Sequence, residues 1–126
     1  MNTAKTLMLG GLFGLTAALA GCGSLYGSTP PAPASDPVAT VTITITGMNG
    51  SLSFSPNPAT VKVGQTVAWY NADSLAHNPA GENGAFGVEK LVHGATSRPI
   101  TLSEAGAFTY RCALHPTMVG TLTVTP

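Results

Sequence analysis

Charge is scarce in this chain. Five lysines and arginines and five aspartates and glutamates among 126 residues give a formal net charge of zero, and no stretch concentrates the basic ones. A nucleic-acid surface needs a basic face or stripe, so nucleic acid is excluded as a partner. Attraction to anionic lipid through charge alone is unsupported on the same ground. Aromatic residues make up only 6% of the chain, with a single tryptophan, and no segment carries the periodicity of an amphipathic helix. Cysteine is rarer still. Cys22 and Cys112 are the only two, too few for the disulfide framework that staples many small exported domains.

Long apolar runs are also missing, with one exception. After the single charge of Lys5, residues Leu7 to Ala20 carry none, the pattern of the n- and h-regions of a secretory signal. Gly10, Gly11 and Gly14 interrupt the run, and it is short for a membrane span. It ends in Leu19-Ala20-Gly21-Cys22, which resembles the lipobox of bacterial lipoproteins. The resemblance implies that residues 1–21 are removed as a lipoprotein signal peptide and that the Cys22 thiol carries a diacylglycerol. The protein would then be exported and held on a membrane, facing the periplasm or the cell exterior. Two or more acyl chains make a stable anchor where one is marginal. Cys22 is then unable to pair with Cys112, which is left as a lone thiol in an oxidising compartment. Such a thiol is either buried and inert or a metal ligand.

Residues 22–37 are dominated by Gly, Ser, Ala and Pro and hold nothing that builds a core. They read as a flexible tether that spans roughly 45 Å when extended at ~3.1 Å per residue. From residue 38 to 126 the chain is one small domain with material for a single core.

That domain reads as strands throughout. Val41, Ile43 and Ile45 alternate with Thr42, Thr44 and Thr46, a period of two that puts β-branched polar residues on the outer face. Leu52 and Phe54 follow an Asn49-Gly50 turn signal, and Pro56 and Pro58 break the chain before Thr60-Val61-Lys62-Val63. Thr66 to Asn71 is a further strand. Phe108, Tyr110 and Cys112 share one face, and Leu122 and Val124 repeat the alternation at the end. Gly81 to Gly94 is the least regular stretch and fits either an edge strand or a short helical turn. Many short strands with turns between them mean an all-β sandwich or barrel.

Cys112 thus ends an inward-facing strand, and Ala113 to Gly120 forms the loop into the last one. That loop, within Tyr110-Arg111-Cys112-Ala113-Leu114-His115-Pro116-Thr117-Met118-Val119-Gly120, spaces a thiolate, an imidazole and a thioether three residues apart. His77 lies in another loop, after the Trp69 strand. If both loops meet at one pole, two imidazoles, a thiolate and a weak thioether gather there, the donor set of a blue-copper electron-transfer site. His93, in a polar turn with no ligand spacing, reads as a surface residue.

These motifs resemble a small cupredoxin of the plastocyanin and amicyanin group. The shared residues also include Phe54-Ser55-Pro56, Val61-Lys62-Val63-Gly64, Val67-Ala68-Trp69-Tyr70-Asn71, His77-Asn78 and Glu104-Ala105-Gly106. The spacing Cys-x2-His-x2-Met is that of the short amicyanin loop. The resemblance implies a Greek-key β-sandwich of about eight strands holding one type 1 copper. His77, Cys112 and His115 would be its ligands and Met118 the axial one. It implies an electron carrier rather than an enzyme, a monomer that serves larger redox proteins such as c-type cytochromes or a periplasmic dehydrogenase. A copper buffer or chaperone without redox turnover is the alternative. A multicopper enzyme needs further histidines, and only His93 remains.

The same resemblance implies that Asn78 ties the two ligand loops together and donates its N–H towards the thiolate. Where amicyanin-like loops usually have proline before the second histidine, this chain has Leu114, whose N–H is expected to reach the Cys112 sulfur as well. Leu75, Leu91, Leu114 and Pro116 are expected to form the apolar patch around His115.

Overall fold

The computed structural model describes residues 38–126. The expected signal peptide, the acylated Cys22 and the tether lie outside them. The described residues hold eight strands: β1 (Val41–Ile45), β2 (Phe54–Ser55), β3 (Ala59–Lys62), β4 (Thr66–Asn71), β5 (Pro79–Gly81), β6 (Ile100–Thr101), β7 (Gly106–Cys112) and β8 (Val119–Thr125). The only helical pieces among them are two three-residue 3-10 turns.

The strands form two four-stranded sheets, ordered β2-β1-β4-β6 and β3-β8-β7-β5. Both are mixed, since β1 runs parallel to β4 and β3 runs parallel to β8. The period of two read in the sequence explains the layers. Ile43 and Ile45 are buried while Thr42 and Thr46 are exposed, and Leu122 and Val124 are buried on β8. Residues of both sheets meet in one core built around Trp69, Tyr110, Phe54, Ile43, Ile45 and Leu122. Each such side chain contributes roughly 1.5–3 kcal/mol when fully removed from water.

The few aromatics are concentrated where the sheets face one another. Tyr110 meets Phe54 edge-on at 4.8 Å and Trp69 edge-on at 5.5 Å, and Trp69 stacks on Phe86 at 5.4 Å. Aromatic pairs in these geometries add about 0.5–1.5 kcal/mol beyond area burial. Trp69 Nε1 and Tyr110 Oη are buried and have no hydrogen-bond partner among the described residues. Burial pushes the Tyr110 hydroxyl up to about 12.

Two local expectations change. Leu52 is exposed rather than part of a strand, because Gly50–Leu52 is a 3-10 turn and pairing resumes only at Phe54. Between Gly81 and Gly94 the short helical turn is what occurs. The edge strand β5 ends at Gly81, and a 3-10 turn follows at Glu82–Gly84.

Candidate metal centre

His77, Cys112 and His115 converge where β7 ends and β5 begins, and Met118 lies in the loop that follows. Beyond β4, the chain loops through Ala72 to Ala76 and returns at His77, which pairs with Leu91 in an isolated antiparallel bridge. The His77 N–H donates to the Leu91 carbonyl at 2.9 Å, and the Leu91 N–H donates back at 2.7 Å. Leu91 is therefore buried at 1% exposure, which removes it from the expected apolar patch. Its side chain packs in the core while its backbone fixes His77. Leu75, Leu114 and Pro116 are exposed as expected, and so is Val92, the residue after Leu91.

Cys112 is positioned by register. It is the last residue of β7 and lies opposite Pro79 of β5. Its N–H donates to the Met118 carbonyl at 3.1 Å. The loop then turns tightly, with the His115 N–H donating to the Cys112 carbonyl at 3.3 Å and the Met118 N–H to the His115 carbonyl at 3.0 Å. His77, Cys112 and Met118 are each 0% exposed, whereas His115 is partly exposed.

The donor atoms face one another. Cys112 Sγ lies 3.7 Å from His77 Nδ1 and 3.7 Å from His115 Nδ1, and the two nitrogens are 3.2 Å apart. A triangle with those sides has a point about 2 Å from all three corners, the length of metal–imidazole and metal–thiolate bonds. Three lone pairs turned towards one point repel unless a cation or protons sit among them. The cluster His77, Cys112 and His115 therefore fits a metal ion, and sulfur with imidazole in this proportion fits copper.

The surroundings of the sulfur correct one expectation. Asn78 donates its N–H to Cys112 Sγ at 3.3 Å, and its carbonyl accepts the Ala113 N–H at 2.8 Å, so it links the two loops. Leu114 makes no such bond. Among the described residues the polar neighbours of the sulfur are Asn78 N, His77 Nδ1 and His115 Nδ1. The Cys112–His115 turn puts Leu114 at its tip, where its side chain is half exposed.

Sequence reading missed Asp73. Its Oδ2 lies 2.8 Å from His77 Nε2, the ring nitrogen turned away from the cluster. This hydrogen bond to His77 holds the Asp73 carboxyl below its ordinary value. The only signal was an acidic residue four positions before a candidate ligand. His93 is exposed as expected, yet its Nδ1 lies 3.0 Å from the Asp73 carbonyl oxygen.

Comparison with known proteins agrees with this geometry. Residues 41–125 match the family of copper binding proteins described as the plastocyanin/azurin family. Amicyanin of Paracoccus denitrificans is 31% identical over 89% of this chain and 86% of its own length. The match to amicyanin of Paracoccus versutus, at 35% identity, spans about half of that protein, 52% of its length. Among solved structures, a purple cupredoxin from Nitrosopumilus maritimus superimposes with a TM-score of 0.60 at 29% identity, covering 68% of this chain and 99% of its own. The Cu(I) form of an amicyanin variant gives a TM-score of 0.61 at 26% identity, covering 71% and 85%. With the fold, the donor cluster and the family match in agreement, the chain belongs to the plastocyanin/azurin family and is a blue copper protein.

Proposed function

We propose that this protein is a membrane-tethered electron carrier, moving single electrons between larger redox proteins. The observation that carries the reading is the triangle of donors formed by His77, Cys112 and His115. Copper bound there supplies a one-electron Cu(II)/Cu(I) couple, and sulfur with imidazole suits both states tolerably.

The remaining chemistry belongs to the protein. Each donor is tied through backbone bonds to a strand or bridge, His77 to Leu91 and Cys112 to Met118. Donors held in this way move little when the charge of the site changes. Burial of His77, Cys112 and Met118 disfavours the more highly charged oxidised site and raises the potential. The Asn78 N–H acts in the same direction, because it withdraws density from the thiolate. Met118, buried and in the same loop as His115, would supply a weak thioether donor to the bound copper.

His115 is the one partly exposed member of the set, and Leu75, Leu114 and Pro116 are exposed apolar residues of the two ligand loops. This face would dock a c-type cytochrome or a periplasmic dehydrogenase through a small, rapidly released contact. We assign the monomer as the working state. The lipobox-like Cys22 would keep the protein exported and on the membrane, with residues 22–37 giving it reach.

Addition of Cu(II) to the purified domain tests the reading. Intense blue colour with reversible one-electron reduction is expected. Colourless binding would instead indicate a copper buffer or chaperone, and absence of binding would refute the assignment.

A further inference from the structure

We propose that Asp73 is a positioning residue for the copper site, and that its carboxylate locks His77 in the tautomer whose Nδ1 is free to bind metal. The inference rests on the copper reading and adds a residue that tunes the site.

His77 is fully buried, so its contact with Asp73 is not an ordinary surface ion pair. A neutral imidazole carries one proton on one of two nitrogens. An ionised carboxylate is an acceptor only, and at 2.8 Å from Nε2 it keeps the proton there. Nδ1 is then a bare lone pair, facing Cys112 Sγ and His115 Nδ1. The negative charge on the far side of the ring also makes Nδ1 a stronger donor. A stronger donor favours the oxidised, more highly charged site, so Asp73 lowers the potential. It opposes the effect of Asn78 on the sulfur.

The carboxylate is itself held. The Asp73 N–H donates to Asn71 Oδ1 at 2.9 Å, and Asp73 Oδ1 accepts the Ser74 N–H at 2.7 Å. His93 Nδ1 donates to the Asp73 carbonyl at 3.0 Å. Asn71 is buried at 0% exposure and donates to the carbonyls of Leu75 and Leu91 at 2.7 and 3.0 Å. The loop thus has a polar frame that fixes where the carboxylate sits. At 20% side-chain exposure the Asp73 charge is partly screened, so the effect on potential is bounded.

Two substitutions separate position from charge. Asp73→Asn keeps an oxygen acceptor at nearly the same shape and removes the charge, whereas Asp73→Ala removes both. Both proteins should stay blue. The midpoint potential should rise in Asp73→Asn and rise further in Asp73→Ala. Cu(II) affinity, measured by competition with a chelator, should fall about tenfold or more in Asp73→Ala, the usual size for an outer partner of a ligand histidine. A second readout needs no copper. Nitrogen NMR of the metal-free protein should show His77 carrying its proton at Nε2 in the neutral ring, and a mixed tautomer in Asp73→Ala. Potentials in both variants equal to that of the unsubstituted protein would overturn the proposal, as would a His77 protonated at Nδ1. If the protein takes up no copper, the carrier reading fails, while the tautomer measurement still decides the role of Asp73.

Discussion

Tyr110 lies directly across the β7–β8 ladder from Gly120, with its ring over the glycine. A Cβ on Gly120 would fall 2.2 Å from Tyr110 Cζ and 2.5 Å from Oη. Cross-strand pairs of this kind let an aromatic ring use the space that glycine leaves.

Gly120→Ala should therefore destabilise the domain by about 3 kcal/mol, at the upper end of overpacking costs. Tyr110 has nowhere to retreat, since Phe54 and Trp69 pack against it. Denaturant titration measures the loss. An unchanged midpoint would mean that the ring turns aside freely.

Tyr110 also predicts the alkaline limit of stability. Its hydroxyl is raised from 10.0 to about 12 by burial, so between those values the unfolded chain loses the proton and the folded one keeps it. Unfolding then releases protons, and stability falls as pH rises through this window. The full loss is about 2.7 kcal/mol, from roughly two pH units at 1.36 kcal/mol each. Tyr110→Phe should flatten that limb and be near neutral at pH 7, because the hydroxyl has no hydrogen-bond partner among the described residues. Alkaline unfolding curves that coincide for both proteins would contradict this.

Cys112→Ala should abolish the blue absorption, which arises from the thiolate, and leave the fold in place. Met118→Gln should keep the colour and lower the potential, since an amide oxygen supports the oxidised state better than a thioether. Visible spectra and voltammetry decide both. A blue Cys112→Ala protein would dismiss the ligand assignment.

Leu114 offers a sharper test than its sequence position implied. Its N–H does not reach the sulfur, and its half-exposed side chain lies on the ligand loop. Leu114→Pro and Leu114→Ala should therefore shift the potential equally and slightly, through altered solvent access. A fall confined to Leu114→Pro would show that the N–H does act on the thiolate.

Cys22→Ser should leave the protein unprocessed or free of the membrane fraction. No other segment of the sequence is apolar enough to hold it there. Normal processing with unchanged membrane fractionation would refute acylation at Cys22.

Much of this site was legible because ligand spacing is a local property. Cys112, His115 and Met118 lie within seven residues of one another, and alternation along β7 set the direction of the cysteine. His77 needed the further step of two loops meeting at one pole, which the strand pattern made natural. Leu91 was misread for the opposite reason. Its burial follows from an isolated bridge to His77, and such pairing leaves no trace in periodicity. Leu52 looked like strand because turn and strand share an apolar residue there, and only hydrogen bonding separates them. The Leu114 N–H depended on the rotation of one peptide in a tight turn, which residue type does not fix. Asp73 was visible only as a charge; its meaning came from which nitrogen of His77 faced it.

The parallel pairing of β3 with β8 has a consequence for biosynthesis. Ala59 finds Leu122 about 60 residues further along the chain, and β8 lies between β3 and β7 in the sheet. Until the final seven-residue strand arrives, β7 has no neighbour on that side and Cys112 lacks the Met118 carbonyl that receives its N–H. Pairings this distant close late and slowly. A chain in which β8 has not yet paired therefore has an open edge beside Cys112 and no fixed loop to hold His115 against His77, so the donor triangle closes only after this last pairing.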